Sequence, residues 1–316
     1  MSQAPIDPAE PRPARFANPV VRCLAATRPA FLSVTLVGCL LGIASAHAGG
    51  VAIDATGAVL TVLLALAAHA GGNVVNDYHD ALSGADDANI ARLFPFTGGS
   101  RFIQNGVHTA RQTAVLGYGL LAAVVPGGLW LTWQAGPGLL LIGAAGLALG
   151  WAYSAPPLKL VSRGWGEFVI ATCWLLVVVG ADYVQRGALD ILPLAAGLSY
   201  ALLVANLLFI NQFPDHDGDA ASGKRTLVVR LGPEVAKWGY TLIAIVAHGW
   251  LIAMVAANLL PQKAAAAAMT VALSLPAGRD LLAYATQPAA LAPAIKRTIV
   301  AALAHGTVLA GVLAFA

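Results

Sequence analysis

Long apolar stretches alternate with short polar ones along almost the whole chain. A run of roughly 20 apolar residues is enough to cross the hydrocarbon core of a membrane as a helix. Nine stretches approach that length: residues 28–47, 55–76, 112–133, 137–153, 166–183, 189–213, 236–258, 264–281 and 297–316. The eighth is the weakest, because Pro276, Arg279 and Asp280 interrupt it near its end. The first 18 residues are Pro-rich and polar. Lacking an apolar core, they predict a short disordered tail rather than a secretory signal. No polar stretch is long enough for a separate soluble unit, so residues 19–316 are expected to form one transmembrane domain.

Composition strengthens this reading. The chain has 316 residues, of which 58% are hydrophobic and 10% charged, with mean hydropathy +0.74. Soluble domains carry about 25% charged residues, so this chain cannot cover its surface in water, and lipid is the expected solvent. The net charge of +3 matters less than its placement. With the N-terminus cytoplasmic and the sides alternating, all but Arg186 and Lys263 of the 18 Lys and Arg fall on the cytoplasmic side. That is the positive-inside bias, and it supports both the expected span count and the orientation. An inner-membrane, multi-pass protein follows, with no nucleic-acid partner and no obligate protein partner. Cys23, Cys39 and Cys173 have no metal-ligand spacing and read as ordinary thiols.

Against this background the acidic residues stand out. Seven of the 15, Asp77, Asp80, Asp86, Asp87, Asp215, Asp217 and Asp219, lie in two short stretches. Each stretch sits at the cytoplasmic end of an expected span, where ionisable groups are costly and mark function. In the first, Asn73, Asp77 and Asp80 are spaced i, i+4, i+7 and share a helix face, with Asn76 beside them. In the second, Asn211, Asp215 and Asp219 are spaced by four. Pro214 and Gly218 predict a kink or an end there, leaving a helix end plus loop as the alternative. A lone acidic helix end is commonly a cap or a solvated loop. Two on one side of a chain so poor in charge point instead to a shared cation. Oxygen ligands without cysteine suit Mg2+, which takes one or two carboxylates together with substrate phosphate oxygens. His79 and His216 read as neighbours of this site, and Asp86 and Asp87 stay open between site and solvated loop.

A phosphorylated substrate also needs fixed positive charge. Arg101 lies in a glycine-containing loop, FPFTGGSRFIQNG, whose backbone N–H groups suit an anion. Lys159 and Arg163 lie in YSAPPLKLVSRG, and Lys224 and Arg225 follow the second acidic stretch in ASGKRT. Topology alone accounts for most of these cations. A site role is favoured where the charge adjoins an acidic stretch or a glycine loop, so Lys224 and Arg101 lead.

The pair NVVNDYHD…GADD and NQFPDHDGD, with YSAPPLKLVSRGWGE between them, resembles the UbiA superfamily of intramembrane prenyltransferases over roughly residues 20–310. Asn-Asp-Tyr-X-Asp followed by Gly-X-Asp, and the tail DGDAASGKRTLVVRLG, are similar to the dihydroxynaphthoate (MenA-like) prenyltransferases of menaquinone synthesis. Other branches usually place Asp where this chain has Gly84. The loop FPFTGGSRFIQNG and Phe213-Pro214 depart from the naphthoate pattern. The resemblance implies an all-α membrane bundle of about nine helices around a central cavity, capped by cytoplasmic loops and open sideways to lipid. It implies that Asn73, Asp77, Asp80, Asp215 and Asp219 bind two Mg2+, with Asp77, Asp80, Asp215, Asp219 and Lys224 catalytic. Asn73, Asn76, Arg101, Lys159, Arg163, Asn211 and Arg225 would meet the diphosphate. The implied reaction moves a prenyl group from an allylic diphosphate to a small aromatic acceptor. A terpene cyclase would ionise the same substrate on the same residues. A transporter fits less well, because its ionisable site belongs near the midplane on broken helices.

Overall fold

The computed structural model describes residues 8–316, and the described residues form helices joined by short loops, with no strand among them. In chain order the helices are α1 (Pro19–Ala26), α2 (Leu32–Ala48), α3 (Ala55–Ser83), α4 (Ala85–Ala88), α5 (Ala110–Ala135), α6 (Gly138–Ser154), α7 (Gly166–Arg186), α8 (Ile191–Ala221), α9 (Leu227–Leu231), α10 (Pro233–Ala256), α11 (Val271–Tyr284) and α12 (Ala292–Ala314).

Seven helices are long and apolar enough to cross a membrane: α2 with its preceding turn, α3, α5, α7, α8, α10 and α12. The 17-residue α6 is apolar but shorter. The eighth expected stretch does not form one helix. Gln262–Thr270 is a 3-10 segment, and α11 follows with 14 residues, about 21 Å of helix. The break falls upstream of Pro276, in an alanine-rich run with little apolar bulk to bury. The multi-pass membrane architecture otherwise follows the hydropathy pattern.

The acids outside the two clusters have local work. Asp54 accepts from the backbone of Thr56 and Gly57 at the start of α3, and Asp190 accepts from Leu192 at the start of α8. These side chains satisfy N–H groups that a helix cannot pair internally. At the same end, Asp182 and Arg186 form a two-pronged ion pair at 2.8 Å.

α8 is the hub of the bundle. Its apolar stretch is 67% buried, against 11% for α5, which faces outward. It packs on α7, α10, α12 and α2, while α3 packs on α5, α2, α6 and α7. Tyr200, Val178, Leu41, Leu251 and Leu309 form the main core around α8. Phe209 and Phe213 join Tyr240, Leu281 and Ile295 in a second. Lipid is as apolar as these side chains, so close helix packing must come from small residues and hydrogen bonds. Gly42 shows this: a Cβ there would lie 2.2 Å from the Val178 carbonyl of α7. The Tyr200 hydroxyl donates to the Val34 carbonyl, and His305 reaches Ser199 at 3.0 Å and Thr270 at 3.1 Å.

From residue 8 onward the expected disordered tail is seated on the bundle, and residues 1–7 lie outside the described region. Glu10 is buried, pairs with Arg92 at 2.7 Å and accepts from Asn105 at 3.0 Å. A single buried carboxylate with two donors is enough to fix a segment whose composition reads as disordered.

Gly42→Ala is expected to destabilise the α2–α7 contact by about 1–3 kcal/mol. Gly143→Ala, where an added Cβ meets nothing within 4 Å, is the control. Melting in detergent checks this, and equal midpoints for the two variants would contradict the packing argument.

Candidate active site

The first acidic stretch lies on the last three turns of α3. Asn73, Asn76, Asp77 and Asp80 lie there, on unbroken helix as their spacing predicts. Asn76 donates to Asp80 at 2.9 Å, and Asn73 donates to the Thr27 carbonyl at 3.1 Å. Asp77 is buried and accepts the backbone N–H of Ser100, from the glycine loop, at 3.2 Å. Gly84 ends α3 with φ +77°, a conformation natural to glycine. The chain then turns into α4 and carries Asp86 inward. Asp86 is 5% exposed, whereas Asp87 points to solvent. Loop residue Gly99 lies against the first cluster: a Cβ there would meet Asp86 Oδ2 at 2.7 Å and Asp77 Oδ1 at 3.1 Å.

The second acidic stretch corrects the expected kink or helix end. α8 continues through Pro214 and Gly218 to Ala221, so Asn211, Asp215 and Asp219 do share a helix face. Pro214 is buried, and Phe213 beside it packs against Phe209 at 5.7 Å. Tertiary packing on that face outweighs the local cost of the proline. Gly218 has a different use. A Cβ on it would come within 2.9 Å of the Asn89 backbone. Its absence lets the segment after α4 lie against α8, and Asn89 then donates to Asp215. Asp217 and its neighbour His216 face outward at this turn, paired at 2.7 Å, and His79 meets Tyr118 at 3.0 Å.

Lys224 joins the two stretches. Its Nζ lies 2.9 Å from Asp80 and 3.5 Å from Asp219. Burial acts to discharge the amine, but Asp219 and Asp80 outweigh it and hold Lys224 well above the ordinary lysine range. Burial first, and then Asp80 and Asp77, push the Asp86 carboxyl well above the ordinary carboxylate range, against Lys224 and Arg101.

The other expected cations are placed differently. Arg101 is buried behind the site, where it donates to the Asp86 carbonyl and lies 3.9 Å from Glu10. It props the loop instead of lining the cavity. Lys159, Arg163 and Arg225 are exposed. Arg163 donates to the Pro157 carbonyl, and the Arg225 carbonyl accepts from Arg230. The cation that does line the cavity, together with Lys224, is Arg28. It donates to the Phe96 carbonyl at 3.1 Å and stacks 4.5 Å over Phe31. In the sequence Arg28 is one more basic residue at a span end, with nothing to set it apart. Asn89 is likewise invisible there. Asp86 had a signal, its place in Gly84-X-Asp86.

The cavity has a volume of about 640 Å³. Asn73, Asn76, Asp80, Asp86, Asn89, Asn211, Asp215, Asp219 and Lys224 line its polar end. Away from that end it is walled by residues such as Leu64, Leu121, Leu147, Ile170 and Val177. Exposed Val125, Leu129 and Leu140 also line it, so it opens onto the outer face of the bundle between α5 and α6. It extends to Thr61 on α3, 19 residues and about 28 Å from Asp80.

The polar end fits a hard divalent cation. The side-chain carbonyl oxygens of Asn76, Asn89 and Asn211 are buried with no hydrogen-bond partner. Unsatisfied buried acceptors call for a ligand or ion. Among the described residues no three His, Cys, Asp or Glu side chains gather closely enough to hold an ion alone. An ion here would therefore complete its shell from asparagine oxygens, water or a substrate phosphate, as Mg2+ commonly does.

Known proteins are similar to this chain in sequence and in fold. The sequence is 27% identical over 269 residues to a 1,4-dihydroxy-2-naphthoate octaprenyltransferase of Mycobacterium tuberculosis, covering 82% of this chain and 85% of that protein. It is 30% identical over 227 residues to a 2-carboxy-1,4-naphthoquinone phytyltransferase of Synechocystis, covering 70% of each. A solved UbiA homolog from Aeropyrum pernix matches the fold with a TM-score of 0.66 at 18% identity, covering 87% of this chain and 96% of the other. Another from Archaeoglobus fulgidus, bound to DMAPP and Mg2+, matches with a TM-score of 0.59 at 17% identity, covering 92% and 99%. The UbiA prenyltransferase family model matches residues 31–309 and so takes in both aspartate stretches and all of the cavity lining but Arg28. The chain belongs to that family and is a prenyl-transferring membrane enzyme.

Proposed function

We propose that the enzyme transfers a polyprenyl group from an allylic diphosphate to a dihydroxynaphthoate-type acceptor and releases diphosphate. The observation that carries this reading is the pairing of two aspartate stretches through Lys224 at one end of a long apolar cavity. The naphthoate-prenylating relatives favour the acceptor class. Nine crossings, with α6 and the α11 region counted, and a cytoplasmic site in the inner membrane agree with the distribution of basic residues.

In this reading the diphosphate sits at the polar end. Asp77, Asp80, Asp86, Asp215 and Asp219, with the oxygens of Asn73, Asn76, Asn89 and Asn211, would hold two Mg2+. When bound, the ions supply Lewis-acid charge that stabilises the departing diphosphate. Lys224 and Arg28 add fixed positive charge at the same end, aimed at the anion as it develops. Asp80 of α3 and Asp219 of α8 hold Lys224 in place there. Below it, apolar walls keep water from the allylic cation, so that the acceptor carbon captures it, and the ring regains aromaticity by losing its carboxylate as carbon dioxide or, on an acceptor without one, a ring proton. The prenyl tail runs down the cavity and out between α5 and α6. Arg101 orders the loop over Asp77 and Asp86, while Lys159, Arg163 and Arg225 act on topology or on arriving substrate.

Two sets of variants test these assignments. Asp77→Ala and Asp215→Ala are expected to leave less than about 1% of turnover in protein that still melts cooperatively in detergent. Lys159→Ala, Arg163→Ala and Arg225→Ala are expected to stay within about threefold of wild type, as exposed charges do. The assay is radiolabelled prenyl diphosphate with Mg2+, with and without dihydroxynaphthoate. Acceptor-independent consumption to a hydrocarbon or cyclic alcohol would identify a cyclase and sink the transferase reading.

Gly218→Ala tests the seam between the two stretches. It is expected to displace Asn89 from Asp215 and cut kcat by about tenfold or more, with a smaller change in melting. Full activity would show that this seam is not needed.

A further inference from the structure

The cavity-facing stripe of α3 does not stop at Asn73. One turn further down the same face lies His69, in the series His69, Asn73, Asn76, Asp80. It stands seven residues from Asn76, about 10 Å down the helix axis, where the lining has become largely apolar. Its ring is held by two neighbouring helices, and Asn73 one turn up α3 also reaches it. Thr35 Oγ1 of α2 lies 2.8 Å from Nδ1, and Trp174 of α7 meets the imidazole edge-on at 4.9 Å between centroids. Thr35 and Trp174 line the cavity with it, and Phe31 and Arg28 continue this wall toward the carboxylates. Ionisable side chains at membrane depth are costly and tend to face functional space. A histidine serving only to join α2 and α3 would gain nothing by bordering a cavity.

Position gives the imidazole its use. The diphosphate belongs at the carboxylate end, so the reacting carbon lies just below it. His69 is one step deeper, on the wall with the aromatic and polar groups. A tail needs no hydrogen bond there, but a hydroxylated aromatic ring does.

We propose that His69, oriented by Thr35, is the residue that selects the acceptor: its imidazole hydrogen-bonds a ring hydroxyl and turns the ring toward the allylic carbon. This rests on the prenyl-transfer reading above, and it names a residue that neither aspartate stretch contains. His69 is a binding and positioning residue here, and no covalent step is assigned to it. Sites built to hydrogen-bond a substrate hydroxyl discriminate strongly against analogues that lack it.

The test compares wild type, His69→Leu, His69→Gln and Thr35→Val, all purified in detergent with Mg2+ present. Equilibrium binding is measured for dihydroxynaphthoate, for its dimethoxy analogue, and separately for a prenyl diphosphate. Wild type is expected to favour the free dihydroxy compound by about tenfold or more. His69→Leu should lose that preference, His69→Gln should recover part of it, and Thr35→Val should fall between. Diphosphate binding should change less than acceptor binding throughout, since His69 reaches the polar end only through Asn73. In turnover, the acceptor KM should rise and the donor KM should not. An undiminished preference in His69→Leu, with diphosphate binding intact, overturns the role of His69 and leaves prenyl transfer standing. Wild type that binds the diphosphate but not the naphthoate overturns both this role and the proposed acceptor. Loss of diphosphate binding in wild type defeats the reading of the site itself.

Discussion

Carboxylates gathered inside an apolar bundle repel one another, and the arrangement of this protein answers that repulsion. Asp80, Asp86, Asp215 and Asp219 all border one end of a cavity that is otherwise largely apolar. Taking a single ion out of water costs about several kcal/mol even after relaxation. Lys224 offsets part of this by lying between Asp80 and Asp219. Hydrogen bonds from Asn76 to Asp80, from Asn89 to Asp215 and from the Ser100 backbone to Asp77 offset more. These contacts draw the end of α3, the end of α8, the turn after α4 and the loop around Gly99 into one place. The loops at this end are ordered because the charges they enclose require it.

The same constraint decides what kind of membrane protein this is. A carrier needs its ionisable site near the midplane, commonly on helices that break there. Here α3 and α8 run unbroken to the acids they carry, and the acids stand at the helix ends. Beneath them lies an apolar space some 28 Å deep along α3, with an exit between α5 and α6. A polar head held at one end and a long apolar tail housed below is the arrangement an isoprenoid diphosphate calls for.

Periodicity made much of this legible, because membrane crossing and helix faces are both written in spacing. Hydropathy found the long helices, and the i, i+4, i+7 pattern placed Asn73, Asp77 and Asp80 on one face. Lys224, which the sequence places next to an acidic stretch, lies between Asp80 and Asp219. The failures share a cause: they depend on which way a chain turns after a helix ends. The glycine loop favours Arg101 in sequence and nothing there marks Arg28, yet the loop carries Arg101 behind Asp86 while Arg28 faces the cavity. Asp86 and Asp87 are adjacent, and a single turn at Gly84 buries one and exposes the other. Pro214 and Gly218 read as breakers because local propensity ignores what packs on the helix. Both belong to an intact α8, where Phe213 fills a core and Gly218 admits a neighbouring backbone. Glu10 was hidden in a Pro-rich segment because its partners, Arg92 and Asn105, are more than 80 residues away.

Glycine serves opposite purposes in the two halves of this structure. At Gly42 and Gly218 the missing side chain brings backbones together. On α6 it leaves space open. Gly143, Gly146 and Gly150 all line the cavity, and an added Cβ at any of them would meet nothing within 4 Å. Each glycine inside a helix costs about 0.5–1 kcal/mol relative to alanine. Three on one face, touching nothing, therefore lower the stability of α6 without improving its packing. What they provide is width, on the wall facing α3. An empty groove would be a defect in a bundle built for stability alone, since native interiors leave few voids. In an enzyme that must admit a prenyl chain, the space is what the lost stability secures, and it lies on the helix that borders the opening on the outer face.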